Sequence, residues 1–236
     1  MPVCPMPVRI DAPGPVTLVP ATVTRASRWV TERFHLTTGE DGAPALLATA
    51  LPRSLLPELT VSPLTRGDTN PLQRVFDGMS PESRRMRFLA ATPVMAPHMA
   101  VRLADVDHAS HGCWVAGLEG EPVGIGRYIR TSDDPAVAEI ALEVVDTCQG
   151  QGVGRVLLDV IGTAAADAGI ASLFWLMDET NRRVRLLAAP LGGRFTRDSG
   201  VLEGTTGLPP VAPLDAVRIV RCARAARRRA AERTAA

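Results

Sequence analysis

The residues Gln149-Gly150-Gln151-Gly152-Val153-Gly154-Arg155 constrain this chain more than any other stretch, because they stand between an alternating apolar segment and a long amphipathic one. The order reads as strand, glycine loop, helix. Gly150, Gly152 and Gly154 let a backbone come close to a ligand, and the helix behind them directs unpaired N–H groups and its positive dipole end at the loop. The expected occupant is an anion of the pyrophosphate kind.

Two common phosphate loops do not fit. All 26 basic residues are arginine, so a loop of the Gly-Lys-Ser/Thr type, which needs a lysine to reach its phosphates, is excluded. Gly150-x-Gly152 begins a dinucleotide pattern, with Asp178 as a ribose acceptor after the next strand. The third glycine position is Arg155, however, and Asp146, Thr147 and Cys148 separate the strand from the glycines, whereas a dinucleotide turn follows its strand closely.

The 236 residues carry a formal net charge of +1, which gives the whole molecule no strong preference for nucleic acid or membrane. Cys4, Cys113, Cys148 and Cys222 lack paired spacing, as expected in a reducing compartment. Met1 to Val19 has neither a basic start nor a continuous apolar run and does not read as a signal peptide. Val156 to Met177 is the most apolar stretch, but Asp159, Asp167 and Gly169 interrupt it, which argues against a membrane span. The expectation is a soluble, cytoplasmic protein with no membrane partner.

Residues 1–58 read as a Pro/Thr-rich extension with short strands at Val16 to Val19, Phe34 to Thr37 and Ala45 to Ala50, the last two joined by a Gly39-Glu40-Asp41-Gly42 turn. Residues 59–206 form the main domain. A strand at Thr60 to Leu64 precedes a helix over Pro71 to Met79, capped by Asn70 or Thr69, and a second helix capped by Ser80 and running through Phe88. A short helix at Ala96 to Leu103 follows, then a hairpin of Cys113 to Leu118 and Val123 to Arg130. After a strand from Val137 to Val145 come a helix from Val153 to Ala168, a strand from Ile170 to Met177, and a helix from Asn181 to Leu191. Short strands near Arg194 to Arg197 and Gly200 to Glu203 close the series. Residues 207–236 read as an Arg/Ala-rich tail, a solvated helix over Leu214 to Ala236 in preference to a site for an acidic partner. No aromatic residue is interleaved with its arginines, which argues against nucleic acid. The fold class expected is mixed α/β, a mostly antiparallel central sheet flanked by helices.

Gln149-x-x-Gly152-x-Gly154 and its surroundings resemble the GNAT superfamily of acyl-CoA-dependent N-acyltransferases. Ser80-Pro81-Glu82-Ser83-Arg84-Arg85-Met86-Arg87-Phe88, Leu103-Ala104-Asp105-Val106-Asp107 and Val123-Gly124-Ile125-Gly126-Arg127-Tyr128-Ile129-Arg130 resemble blocks of its bacterial Pat-type protein lysine acetyltransferase branch. The resemblance covers about Leu59 to Gly204. It implies acetyl-CoA as cosubstrate, with no metal. It also implies a bulged strand at Leu142, Glu143 and Val144 that splays from its neighbour to admit the pantetheine. Gln149, Gly150, Gln151, Gly152, Val153, Gly154 and Arg155 would then hold the pyrophosphate, with Asn181 beside the pantetheine. The acceptor implied is an amine, either a lysine side chain of a protein or a small molecule.

A lysine amine with a pKa of about 10.4 is almost wholly protonated at neutral pH, so a base is useful. The resemblance puts that base at Glu139, whose burial beside Ala138 and Ile140 would suit it to the task. Period two sets Glu143 on the same strand face, and either glutamate fits the role. A backbone N–H near Val144 would stabilise the oxyanion of direct attack, so Cys148 is not required as a nucleophile. Many GNAT enzymes use a tyrosine to protonate the departing thiolate; Ala188 stands at that position, and Tyr128, the only tyrosine, lies on another strand. A noncatalytic acyl-CoA-binding protein is the alternative. His108-x-x-His111-x-Cys113 lacks a fourth ligand for a structural metal.

Overall fold

Alternating apolar segments separated by turn residues build one sheet. The computed structural model describes residues 16–17, 33–39, 42–48 and 59–235. Among them, β1 (Val16–Thr17), β2 (Phe34–Thr38), β3 (Pro44–Ala48) and β4 (Leu59–Pro63) lead to three short helices, α1 (Asn70–Asp77), α2 (Pro81–Phe88) and α3 (Pro97–Ala104). Strands β5 (His111–Leu118), β6 (Glu121–Arg130) and β7 (Val137–Val144) follow, then α4 (Val153–Asp167), β8 (Ser172–Asp178), α5 (Arg182–Ala188), β9 (Arg194–Asp198), β10 (Val201–Thr206) and α6 (Pro213–Ala235). The expected strand ends at Leu18, Val19, Thr49 and Ala50, the turn residues Glu40 and Asp41, and Cys4 lie outside the described residues.

The ten strands run in the order β1-β9-β10-β8-β7-β6-β5-β4-β3-β2. Every pair is antiparallel except β7 with β8, as expected of strands joined through a crossover helix. The β2–β3 hairpin pairs with β4, so residues 34–48 continue the main sheet. No helix of the described residues is long and apolar enough to cross a membrane.

Helix α4 lies close on β6 because two strand positions lack side chains. A Cβ on Gly124 would come within 3.0 Å of Leu157 Cδ1, and one on Gly126 within 3.1 Å of Ile161 Cγ2. Residues of β6 alternate in direction, so Ile125 and Arg127 face the other way, toward α1 to α3. Caps fit the sequence at two starts. Ser80 Oγ accepts from Ser83 N–H at 3.2 Å on α2, and Asn181 Oδ1 accepts from Val184 N–H at 3.2 Å on α5. Thr69 makes no side-chain cap on α1; the Asp68 carboxylate accepts from Asn70 N–H at 3.0 Å instead.

The solvated tail expected at the C-terminus is instead a packed helix. Ile219, Cys222, Ala223, Ala226 and Ala230 of α6 are buried, and the helix lies against β2, β3, β4 and α4. Charged groups tie it down. Asp215 is 1% exposed and its Oδ1 accepts from Arg33 N–H and Phe34 N–H at 3.1 and 3.0 Å, while Arg218 Nη1 donates to Phe34 O at 2.8 Å. Arg224 and Arg227 both pair with Asp167 at the end of α4.

Candidate active site

Strands β7 and β8 pair only from Val137 with Ser172 to Glu139 with Phe174. Beyond Glu139 they part, and a cavity of about 470 Å³ lies between them, extending to the start of α4. It is lined by Glu139, Leu142, Glu143, Val144, Gln149, Gly150, Gly152, Gly154, Arg155 and Asn181, which brings ten predicted site residues to one place. Gln151 and Val153 do not line it. Gln151 Nε2 donates to Thr147 O at 2.9 Å, and the Val153 side chain is buried under β6.

Val145 N–H donates to Val123 O, so alternation along the strand aims Glu143 and Ala141 backbone groups at β6. Those of Leu142 and Val144 face the gap. Glu143 therefore offers the gap no backbone group, contrary to its expected part in holding a pantetheine. The Val144 carbonyl is taken by Gln149 Nε2 at 2.9 Å, which leaves Val144 N–H as the free donor. Gln149 also donates to Ser83 Oγ and Asp146 Oδ1, so its side chain braces the loop against α2 and is not turned to an anion.

Gly150 (φ 76°) and Gly152 (φ 94°) take left-handed conformations that turn the loop into α4. The amides of Gly150, Gln151, Gly152, Val153 and Gly154 find no acceptor among the described residues, whereas Arg155 N–H already donates to Gly152 O. Five free donors at the N-terminus of a 15-residue helix form an anion cradle. The Arg155 guanidinium, expected to add charge there, is held 3.0 Å from Asp159 Oδ1, one turn along α4.

Glu139 is exposed, so the burial expected around it is absent; it lies at the point where the strands part. Glu143, on the same face, is 2% exposed and bound by Arg87 of α2. Sequence reasoning missed α2 as a wall of the site. Its Arg85 pairs with Asp178 on β8 at 2.7 Å, and its Arg87 with Glu143 on β7 at 3.1 Å, so the helix bridges the parted strands. The Thr180 hydroxyl, with Arg85 adding to it, lowers the Asp178 carboxyl from its ordinary value.

Tyr128 is excluded as an acid for a leaving group: it is 1% exposed, its hydroxyl donates to His108 O, and burial pushes its pKa far up. Cys148 is buried on the cavity wall. His108 Nε2 lies 2.9 Å from Leu64 O and His111 Nδ1 3.1 Å from Asp105 O, while burial pushes the Cys113 thiol up to about 11. Burial, reinforced by Arg127, lowers His111 from 6.5 to about 4. The unfolded chain then takes up this proton first, and stability falls as pH drops from about 6.5 toward 4. Urea unfolding across that window is expected to show the decline and His111→Gln to flatten it; an unchanged slope in the variant would clear His111.

Residues 80–192 match the Acetyltransferase (GNAT) family. The match spans just under half of the chain. Over 154 residues the chain is 28% identical to the acetyltransferase Pat of Mycolicibacterium smegmatis, a match covering 63% of this chain and 45% of that protein. It thus spans less than half the length of that relative. An acetyltransferase of Pseudomonas aeruginosa is 28% identical over 142 residues, covering 58% of this chain and 76% of the relative. The fold is shared with the GNAT domain of S. lividans PAT, with a TM-score of 0.59, 24% identity, and coverage of 74% of this chain and 97% of that one. The parted strands and the glycine loop lie wholly within the matched stretch.

Proposed function

We propose that this chain is an acetyl-CoA-dependent N-acetyltransferase that passes an acetyl group directly to a primary amine. The observation that carries it is the junction of two unsatisfied backbone surfaces: five free amides at the start of α4, and the facing edges of β7 and β8 beyond Glu139. A pyrophosphate on an extended, amide-bearing arm satisfies both. Gly150 to Gly154 would hold the phosphates and Leu142 and Val144 the arm, with Asn181, its Oδ1 engaged as a helix cap, offering its amide nitrogen. Acetyl-CoA supplies the activated acyl group. Val144 N–H is the donor suited to the developing oxyanion, and Glu139, exposed on the face away from α4, takes the proton of the attacking amine and returns it to solvent.

Two acceptor classes fit. A protein lysine follows from the resemblance to Pat-type enzymes; a small-molecule amine is favoured by the charged groups around Arg87. The free thiols Cys113, Cys148 and Cys222 accord with a cytoplasmic location.

Thermal unfolding with acetyl-CoA, followed by assay of CoA thiol release with amines, tests the reading. At a hundredfold excess over Kd, binding adds about 2.7 kcal/mol, or about 5 to 10 °C in Tm for a chain this size. No shift would remove the cofactor assignment; a shift without turnover would favour a noncatalytic acyl-CoA-binding protein. Gly152→Ala is expected to weaken acetyl-CoA about tenfold, because a Cβ at φ 94° costs about 1–2 kcal/mol and tilts the amides. Titration calorimetry giving the same Kd for both proteins would count against the loop.

A further inference from the structure

A second charged feature lies on the same cavity, and its interpretation rests on the acyltransferase reading above. Arg87 Nε donates to Glu143 Oε1 at 3.1 Å, and Arg127 Nε stands 4.0 Å from the same oxygen. The Glu143 and Arg127 side chains are each 1% exposed and Arg87 is 18% exposed. Arg127 Nη1 donates to Leu103 O at 3.0 Å and faces His111 Nε2 at 3.3 Å. Arg127 Nε and Nη2 and Glu143 Oε2 are buried without hydrogen-bond partners.

Two guanidiniums, which keep their protons, thus share one carboxylate. His111, lowered to about 4, adds no charge at neutral pH, and the nearby pair of Arg85 with Asp178 is balanced within itself. The cluster holds a surplus positive charge in a place where an uncompensated charge is destabilising. Of the two arginines only Arg87 lines the cavity, and its Nη groups meet no acceptor among the described residues. The cavity is the side from which a countercharge can reach the cluster.

We propose that the amine acceptor carries a carboxylate of its own, which docks on the Nη groups of Arg87, with Glu143 as the positioning residue that holds the guanidinium. The carboxylate belongs to the acceptor and not to the acyl donor because of the sides of the sheet. Glu139, Ala141 and Glu143 share the face covered by α1 to α3, whereas the donor's phosphates sit at the start of α4 on the opposite face. A free amino acid has the required chemistry; a lysine within a polypeptide lacks the second group. In the transfer, a bond forms between the amine nitrogen and the acyl carbon and the carbon–sulfur bond breaks. Glu139 takes the amine proton, the thiolate takes one from solvent, and the docked carboxylate is unchanged.

The test measures CoA release by the full chain with acetyl-CoA and the twenty standard amino acids, their carboxamides, and a terminally blocked lysine peptide. The best free acid is expected to exceed its carboxamide about 10- to 100-fold in kcat/KM, as loss of a charge-assisted hydrogen bond implies. Arg87→Gln is expected to erase that preference by raising KM for the acid, Arg87→Lys to restore part of it, and Glu143→Gln to raise KM for the acid more than it lowers kcat. Acetyl-CoA should stabilise all three variants as it does the wild type. Equal rates for acid and carboxamide, a blocked peptide matching the best amino acid, or no amino acid turned over by a protein that acetyl-CoA stabilises would each overturn the proposal. Loss of acetyl-CoA stabilisation in the wild type would instead overturn the acyltransferase reading.

Discussion

Glu139→Gln is expected to lower kcat about 10²- to 10³-fold while leaving acetyl-CoA binding unchanged. The substitution keeps the size of the side chain but removes the oxygen that, in the proposed reaction, takes a proton, and a positioned general base contributes about 10²–10⁴ in rate. Glu139 is the last β7 residue paired with β8, so it stands where the cavity opens, and its exposure gives the proton a direct route to water. Glu143, by contrast, is enclosed by Arg87 and Arg127. Steady-state kinetics of both variants, with calorimetric acetyl-CoA affinities, decide the matter. If Glu139→Gln kept full turnover and Glu143→Gln lost it, the base would be Glu143.

The largest stability effect is expected at Asp159, far from any reacting atom. This carboxylate is 0% exposed in the middle of α4, where it binds the guanidinium of Arg33 beside the β2–β3 hairpin and that of Arg155 beside the glycine loop. Asp159→Ala leaves the Arg33 charge buried without a partner, which typically costs about 3–5 kcal/mol, a large share of the roughly 5–15 kcal/mol that holds a domain folded. Replacing both partners by apolar residues, Arg33→Met with Asp159→Leu, should recover most of that loss, because the uncompensated charge is then gone. Urea titrations of the three proteins provide the check, and a drop below about 1 kcal/mol for Asp159→Ala would show that Arg33 finds water or another anion.

The order of strands and helices was legible because it depends on local pattern. Ser80 and Asn181 announce helix starts through their own side chains, and the alternation in β5 to β7 needs no distant partner. The loop was legible for the same reason: Gly150 and Gly152 can take the left-handed backbone they show without the steric cost a side chain would add. Long-range placement of polar residues was not. Nothing along the chain names the partners of Asp159, Asp215 and Glu143, and each is buried on an arginine or backbone donor distant in sequence. Alternation correctly set Glu139 and Glu143 on one face, yet their burial is opposite, since α2 reaches Glu143 through Arg87 and leaves Glu139 open. The α6 stripe of Asp215, Ile219, Cys222, Ala226 and Ala230 has helical spacing, but small side chains carry too little apolar surface to mark a buried face.

By itself the sequence determined the glycine loop at a helix start, the kind of sheet and the exclusion of lysine-bearing and dinucleotide loops, because glycine positions and hydrophobic periods are properties of neighbours along the chain. Only the tertiary structure decided which loop donors remain free, which glutamate stays open to solvent, and that Arg87, paired with Glu143, reaches the cavity wall. Those depend on which side chains meet across the sheet, and a charge reveals its role only when its partner, or the lack of one, is in view.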